Sequence, residues 1–503
     1  MSTHDSLAGE HGYQKTLRWW DGFTISLSIP AALFIAMGYA MGAIGAWAAI
    51  ALVFAVAVIA CLQNYVYSEM AGMFGEQVGG ISMYANQGWR SRTVLAGPLA
   101  TFGYWFSWSS SLAIYGLQIG TLAQAQWFPD QTWTFSTGLA TVGFPHMVAL
   151  GVLLLGWGMN VLGMRPAMWI IYVTGVLILI PIGIFASAAF TSPSWSISNL
   201  HWDLASSGAP AWQTVLAWMF VMAWSVYGIE AVAAFVPEFR DTVRDTRISL
   251  KLAGFFVLAV YFLVPLGVGG LSDQADIAQN PVTFYLQAFD RLIPGSDWMM
   301  TICLIAGLML MMVTTTAAGG RVLHGSALEG LTIRQLGKMN RFKMPGRAMS
   351  LDLVVNVILI LFVGDALAVI VAGIMGYLIC HVLSLTGFIN LRRDRPGAER
   401  PIRLGRQWIY IAGVLAVIDT LMLVVGVASS GITGYGGPKE VIIGIFVLSL
   451  SVVLYFYRQM KQDGQPFRWR HAGAETAPTA PTAAQTTPED DIDGAIVTAG
   501  ERE

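Results

Sequence analysis

Residues 220–241 read FVMAWSVYGIEAVAAFVPEFRD, and Glu230 is the single carboxylate in the apolar part of this stretch, which runs to Pro237. An ionisable group in such a run would be costly in lipid, so its presence indicates a specific task. A buried carboxylate can take up and release a proton, and it can also brace a helix by hydrogen bonding to its neighbour. Both interpretations of Glu230, a coupling role and a structural role, remain open from the residues alone.

The composition is that of a membrane protein. Of 503 residues, 55% are hydrophobic and 12% are charged, whereas soluble domains carry roughly 25% charged residues. The net charge of −2 and the absence of a basic stripe give no sign of a nucleic-acid partner. Three cysteines and seven histidines are scattered along the chain, so no metal, cofactor or disulfide framework is expected.

Twelve apolar spans are predicted, each long enough to cross a bilayer. They lie near residues 20–41, 44–71, 93–125, 146–164, 167–190, 212–237, 248–271, 297–328, 348–364, 366–390, 407–428 and 440–458.

The loop charges predict the orientation of these spans. With the N-terminus in the cytoplasm, only Arg291 and Lys439 of the 28 lysines and arginines face outward. Both termini are therefore expected to be cytoplasmic, in the cell membrane, with the first span acting as the insertion signal. The tail, 461–503, is rich in Ala, Thr and Pro and is expected to be disordered at least from residue 471.

Two spans carry residues that interrupt helices. Pro30 removes a backbone donor near the middle of the first span, and Gly228 weakens the sixth by about 1 kcal/mol relative to Ala. Interrupted helices at corresponding positions of two halves indicate the central site of a transporter. Unwound backbone offers N–H groups on one side and C=O groups on the other, which match the carboxylate and ammonium groups of an amino acid without excluding an amine.

Four segments, in this order, resemble the amino acid–polyamine–organocation (APC) superfamily of secondary transporters. They are LRWWDGFTISLS (17–28), SEMAGMFGEQVGGISMYANQGWR (68–90), WSVYGIEAVAAFVPEFRD (224–241) and GGRVLHGSALEGLTIRQLGKMNRFKMPGRA (319–348). The likeness covers roughly residues 15–460. It is specific for the superfamily and much less specific for the substrate.

The resemblance implies an all-α integral membrane protein with 12 transmembrane helices. Ten of them would form a 5+5 inverted repeat with the leucine-transporter-like fold, and two further helices would follow. The expected divisions are a cytoplasmic N-terminal segment (1–19), the transport core (20–390), the last two spans with their connecting loop (391–460) and the cytoplasmic tail (461–503).

The resemblance also implies the residues of a substrate site. The first-span residues expected to bind substrate are Ser28, Pro30, Ala31, Ala32, Leu33 and Phe34, and the sixth-span residues are Trp224, Ser225, Val226, Tyr227 and Gly228. Trp224 matches an aromatic that closes over substrate, so it is expected to gate the site together with Glu230. A Trp that only packs or faces lipid is the alternative.

The third span supplies a possible aromatic wall of the cavity. Its candidate residues are Trp105, Trp108, Ser109 and Tyr115. Interfacial anchoring and helix packing are the alternatives.

The chain departs from the family pattern in ways that bear on coupling. The first span has Ser-Ile-Pro-Ala-Ala where relatives carry a glycine-rich break, so the binding backbone is expected to be less open. Residues 167–190 contain no lysine, which removes one proton route. Gly319 and Gly320 replace the paired hydroxyls of sodium-coupled relatives, so sodium coupling is disfavoured.

Other polar residues are expected to be structural. A packing role is favoured over a proton relay for His381, and a packing or dimer contact is expected of Asp419, which lies outside the expected transport core. Glu69 and Glu76 are expected to pair with the inner basic loops, and Asp365 to be an outer-loop residue.

The function indicated is a secondary transporter of amino acids or related amines, coupled to protons, with the lipid bilayer as its surroundings. An exchanger, or an amine or polyamine permease without proton coupling, is the alternative within that class. A non-transporting receptor could share the fold. A channel would show pore loops or charge rings, and an enzyme would show clustered catalytic groups; neither pattern appears.

Overall fold

The structure is a computed structural model that describes residues 15–75, 77–137, 141–205, 207–362, 366–434, 437–466 and 469–470. Glu76, Asp365 and the tail from residue 471, for which the sequence made predictions, lie outside the described residues.

Helices dominate the described chain, because in lipid only a helix or a closed barrel satisfies every backbone N–H and C=O group. The α-helices are α1 (Trp19–Ser26), α2 (Ser28–Ala31), α3 (Leu33–Ile44), α4 (Ala46–Met73), α5 (Gly80–Trp89), α6 (Ala96–Trp127), α7 (Phe144–Val161), α8 (Met164–Ala186), α9 (Ala211–Val226), α10 (Thr242–Leu271), α11 (Gln274–Gln279), α12 (Phe284–Leu292), α13 (Asp297–Leu328), α14 (Gly346–Phe362), α15 (Ala366–Asp394), α16 (Trp408–Ala428), α17 (Ser430–Thr433) and α18 (Pro438–Tyr457).

Ten stretches of the described residues are long and apolar enough to cross a membrane, which makes this a multi-pass membrane protein. Each coincides with a predicted span. The third predicted span coincides with α6, which carries several serines. The ninth coincides with α14, which has 17 residues. An all-helical membrane fold is therefore confirmed, while the count of twelve spans stays a prediction.

Several short elements were not predicted. They are α11, α12, α17, the 3-10 helices Ala188–Thr191, Ile197–Asn199 and Arg334–Gly337, the π-helical turn Arg458–Gln462 and an antiparallel hairpin of β1 (Thr134–Ser136) and β2 (Thr141–Gly143). In the hairpin, Phe135 pairs with Val142. Hydropathy does not register such elements because they are shorter than a membrane span.

The helices that carry the interruptions lie at the centre of the bundle. In the most apolar part of 211–238 every residue is buried, whereas in the most apolar part of 438–462 only 28% of the residues are. The long helices α6 and α15 pack beside them, where a Cβ added to Gly103 would lie 2.3 Å from the Gly376 carbonyl oxygen. Glycine at this crossing therefore lets the two helices approach closely.

Candidate functional site

The sixth predicted span unwinds where Gly228 predicted an interruption. α9 ends at Val226, Tyr227 is extended, and a 3-10 helix runs from Ile229 to Glu238. Gly228 joins them with a φ of +124°, a conformation that L side chains rarely adopt. An added Cβ would lie 2.5 Å from Ile29 Cδ1 and 3.1 Å from the Trp108 ring. The chain can therefore turn here only because residue 228 has no side chain.

The first predicted span bends rather than unwinds. Its helix is interrupted at Leu27 and again at Ala32, and both residues keep right-handed helical dihedral angles. The Ala32 N–H donates to the Ile29 carbonyl at 3.0 Å, a tighter turn than an α-helix makes. A new helix, α3, then begins at Leu33, and the first N–H groups of a helix have no acceptor within it. The backbone N–H donors expected at this interruption therefore belong to the N-terminus of α3.

Tyr261 of α10 connects the two interruptions. Its buried hydroxyl lies 3.0 Å from the Ile29 carbonyl oxygen and also donates to the Ser225 carbonyl. Ser225 precedes the last residue of α9, so its carbonyl is one of those that the helix leaves without a donor. One side chain from the seventh predicted span thus satisfies backbone in both interrupted helices.

A small cavity, with a volume of about 20 Å³, lies between the interruptions. Its lining combines aromatic rings, hydroxyl groups and short apolar side chains: Ile29, Ala32, Ser107, Trp108, Ser111, Tyr115, Trp224, Ser225, Tyr227, Met311 and Tyr377.

Six of these lining residues are among those named from the sequence: Ala32, Trp108, Tyr115, Trp224, Ser225 and Tyr227. Trp224 is held in place because its indole N–H donates to Ser111 Oγ at 3.0 Å and its ring lies 6.3 Å from that of Tyr115. Trp224 therefore faces the cavity and does not face lipid.

Trp105 and Ser109, which were expected on the cavity wall, face α14 instead. The Trp105 indole donates to Asp352 Oδ1 at 2.6 Å, and Asn356 Nδ2 donates to Ser109 Oγ at 3.2 Å. Along α6 these two residues point away from the side that carries Trp108 and Ser111, which line the cavity.

The rest of the expected backbone set lies beside the cavity without lining it. Ser28 Oγ bonds back to the Ile25 carbonyl at 2.7 Å, while Ala31 and Phe34 line a second small cavity with Gln118. Pro30, Leu33, Val226 and Gly228 were also predicted to bind substrate, and they do not line the first cavity either.

Sequence reasoning missed five lining residues: Ile29, Ser107, Ser111, Met311 and Tyr377. Met311 belongs to a run of apolar residues, and no residue type in that run distinguishes the helix face that lines the cavity. Tyr377 lies four residues before His381 in α15, a spacing that places both on one helix face. That spacing was the one available signal that the tenth span presents polar groups to the site.

Glu230 caps the interruption directly. Its Oε2 accepts the Gly228 N–H at 3.0 Å, its Oε1 accepts the Tyr377 hydroxyl, and His381 Nε2 lies 3.7 Å away. The side chain is 3% exposed. Glu230 therefore fixes the unwound backbone against α15.

Asp419 also reaches the interruption, although the sequence placed it outside the transport core. Tyr227 donates its hydroxyl to Asp419 Oδ1 at 2.6 Å, and Gln63 Nε2 donates to Oδ2 at 2.8 Å. Asp419 is fully buried. Hydropathy could not indicate these partners, because it gives the membrane position of α16 but not the helices that it packs against.

A second pair of charges joins the ends of the sixth and eighth predicted spans. The guanidinium group of Arg321 makes two hydrogen bonds to Glu238, at 2.5 and 3.1 Å, and lies 4.4 Å over the Phe235 ring. Both charged residues are buried. Next to them, Leu17 donates to the Glu238 carbonyl at 2.9 Å and accepts from the Arg240 N–H at 2.8 Å. The lead-in of the first span is thus tied to the end of the sixth.

Glu69 pairs with a basic loop, as predicted. It accepts from Arg392, from Arg400 Nε at 3.1 Å and from the Leu404 N–H at 2.8 Å. These bonds hold the segment after α15 against the end of α4.

Comparison with known proteins agrees with this geometry. Residues 17–457 match the family described as amino acid permease. A relative from Escherichia coli (strain K12), named putative arginine/ornithine antiporter, is 26% identical over 208 residues, or 40% of this chain and 43% of the relative. Proteins of the same name from Escherichia coli O6:H1 and Shigella flexneri match to the same extent. The chain thus spans less than half the length of these relatives. Because the family match covers nearly the whole sequence, this chain belongs to the amino acid permease family and, through it, to the APC superfamily.

Proposed function

We propose that the protein is a secondary active transporter that moves amino acids or closely related amines across the cytoplasmic membrane by alternating access, with protons as the coupling ion. The observation that supports this most directly is the cavity between two interrupted, buried helices of a multi-pass amino acid permease. Irregular backbone persists within a membrane only where protein buries it or where it lines a cavity.

The two interruptions offer opposite ends of an amino acid their natural partners. We place the carboxylate beside the cavity at the N-terminus of α3, which begins at Leu33, because the N–H groups and the positive dipole end of a helix N-terminus stabilise a negative charge. The C-terminus of α9, from Trp224 to Tyr227, presents carbonyls to an ammonium group.

The lining favours a substrate whose side chain is uncharged. None of the residues that line the cavity carries a charge, and the nearby Glu230 already accepts hydrogen bonds at both oxygens. A cationic side chain would lose its hydration without gaining a carboxylate, which is unfavourable. Cation–π contact with Trp108 or Trp224 would offset only part of that cost.

A screen of purified protein for thermal stabilisation tests the substrate class. A ligand that binds only the folded protein raises its unfolding temperature by mass action. We expect neutral amino acids to stabilise the protein more than ornithine or arginine, and the decarboxylated amines to be much weaker. Equal stabilisation by an amino acid and its amine would contradict the carboxylate site and favour an amine permease.

Transport itself is tested with vesicles that contain only this protein. Uptake of the stabilising ligand supports the transporter, whereas tight binding without uptake would mean a receptor. The name of the relatives, putative arginine/ornithine antiporter, favours exchange as the second candidate mode. Preloading the vesicles with substrate measures exchange, and an imposed pH gradient without internal substrate measures proton-driven uptake.

Glu230→Gln tests the proton role. Gln can accept the Gly228 N–H with its carbonyl oxygen and donate its amide to Tyr377, so the bonds at the interruption are retained. We expect the variant to keep exchange and to lose accumulation driven by a pH gradient. If accumulation persists in Glu230→Gln, Glu230 is a brace only. If the wild type ignores pH gradients, the protein is an exchanger or a uniporter.

The proposed architecture is the one expected from the sequence. It has twelve spans with both termini cytoplasmic, of which residues 20–390 form the 5+5 inverted-repeat core and residues 391–460 add the last two spans. The segments 1–19 and 461–503 flank them in the cytoplasm. Two helices interrupted five spans apart support the repeat.

A further inference from the structure

His381 lies at the centre of a buried polar cluster beside the interruption of the sixth span. Its Nδ1 is 2.7 Å from the Tyr67 hydroxyl, and its ring centroid lies 4.7 Å from that of Tyr227 and 4.8 Å from that of Tyr377. Only 1% of the residue is exposed. The imidazole is therefore held on three sides by hydroxyl-bearing rings.

The other ring nitrogen is aimed at a carboxylate without being bonded to it. His381 Nε2 lies 3.7 Å from Glu230 Oε1, beyond hydrogen-bond distance, and it has no hydrogen-bond partner among the described residues. An unsatisfied buried nitrogen is costly. Here it lies where a proton on the imidazole would be stabilised by the facing charge.

A second carboxylate completes the cluster from the opposite side of Tyr227. Asp419 of α16 accepts the Tyr227 hydroxyl at 2.6 Å. The titratable groups that face His381 are Tyr67, Tyr227, Glu230, Tyr377 and Asp419. Two of these are carboxylates and none is a Lys or Arg, so the cluster carries excess negative charge until it takes up a proton.

We infer that Glu230, His381 and Asp419 form one shared proton-binding site, which brings α16 into the coupling mechanism. This inference rests on the proposed proton coupling and names the groups that perform it. A proton from the aqueous side binds His381 Nε2 and is shared with Glu230, and it leaves by the same atoms when the site opens to the other side.

The site communicates with the substrate cavity through the backbone of the interruption. Glu230 accepts the Gly228 N–H, and Asp419 accepts the hydroxyl of Tyr227, which lines the cavity. Neutralising either carboxylate weakens a bond that holds this segment. Occupancy of the proton site therefore changes the surface that meets the substrate.

The test is a pH titration of the histidine rings by NMR in the full chain, labelled at histidine and reconstituted in lipid nanodiscs. Disappearance of one signal in His381→Gln assigns it. An opposite charge within about 4–6 Å shifts a titration by about 1–3 pH units. We expect His381 to protonate at a lower pH, by about that amount, in both Glu230→Gln and Asp419→Asn.

Asp352→Asn is the matched control, because Asp352 is an equally buried carboxylate that bonds to Trp105 on another side of the bundle. It should leave the His381 titration unchanged. If Glu230→Gln proves unstable, Asp419→Asn alone decides the question. An unchanged His381 titration in Asp419→Asn would overturn the shared site.

Uptake measurements on the same variants separate this inference from the proposed function. We expect Asp419→Asn to reduce proton-driven uptake at least tenfold while exchange falls less than threefold. Proton-driven uptake that matches wild type in Asp419→Asn refutes the shared site and leaves the transporter intact. If Asp419→Asn shifts the His381 titration but uptake by the wild type does not respond to a pH gradient, the shared site is retained and proton coupling is refuted.

Discussion

Replacing Tyr261 by Phe removes a hydroxyl that bridges the two interrupted helices. It lies 3.0 Å from the Ile29 carbonyl oxygen and closer still to that of Ser225. Ile29 also accepts the Ala32 N–H, whereas Ser225 lies at the end of α9, where the helix supplies no donor. The substitution therefore affects the Ser225 carbonyl most.

The size of the effect follows from the number of protons involved. The hydroxyl has one proton, so it makes one full hydrogen bond at a time. Such bonds within membrane proteins contribute about 0.6 kcal/mol on average and up to about 1.7 kcal/mol, and a buried carbonyl left without a donor costs about 1–3 kcal/mol. We expect a loss of about 1–2 kcal/mol. If the bridge preorganises the cavity, substrate affinity falls about 5- to 30-fold.

The assay is equilibrium binding of the amino acid that stabilises the wild type most, with thermal unfolding measured alongside. Tyr285→Phe is the matched control, because the Tyr285 hydroxyl donates to the Leu33 carbonyl at 3.3 Å and so bonds to only one of the two helices. We expect Tyr261→Phe to weaken binding much more than Tyr285→Phe does. Equal losses in the two variants, or no loss in Tyr261→Phe, would refute the bridging argument.

Three further substitutions probe the site and its surroundings. Gly228→Ala forces a side chain onto a φ of +124°; we expect a stability loss of about 1–3 kcal/mol in thermal unfolding, and wild-type stability would contradict the strain. Ala32→Phe fills the cavity that Ala32 lines, so binding should be lost while membrane insertion and monodispersity stay normal. Glu238→Gln deprives buried Arg321 of its carboxylate, which should cost about 3–5 kcal/mol. Adding Arg321→Met should restore much of that stability, and failure of this rescue would argue against the pair.

The helices could be predicted because membrane spans leave few alternatives. A run of about 20 apolar residues in lipid must be helical, and 297–328 was predicted with the bounds that α13 has. Hydropathy did not mark α5, because its ten residues, GISMYANQGW, are nearly all buried although several of them are polar.

The two interruptions show which sequence signals determine backbone conformation. Gly228 marked its position because a φ of +124° is open to few other residues. Pro30 lies in a bend and not in an unwound segment, because its fixed φ of about −65° is compatible with a helix and it removes only one donor. The helix is interrupted on either side of it, at Leu27 and at Ala32.

The buried polar residues were visible in the sequence, but their partners were not. A polar group within a membrane span must find another, so His381 and Asp419 each implied a partner. Which partner depends on how α15 and α16 rotate against the sixth span, and packing decides that. His381, for which packing was expected, and Asp419, for which a packing or dimer contact was expected, both face the interruption.

In the proposed mechanism, the structural and coupling roles of Glu230 act through the same contact. The carboxylate that faces His381 is also the group that accepts the Gly228 N–H. A charged carboxylate accepts that hydrogen bond more strongly than a protonated one does. Protonation of Glu230 would therefore weaken the hydrogen bond that holds the unwound backbone, so a proton bound here would change the conformation next to the substrate cavity.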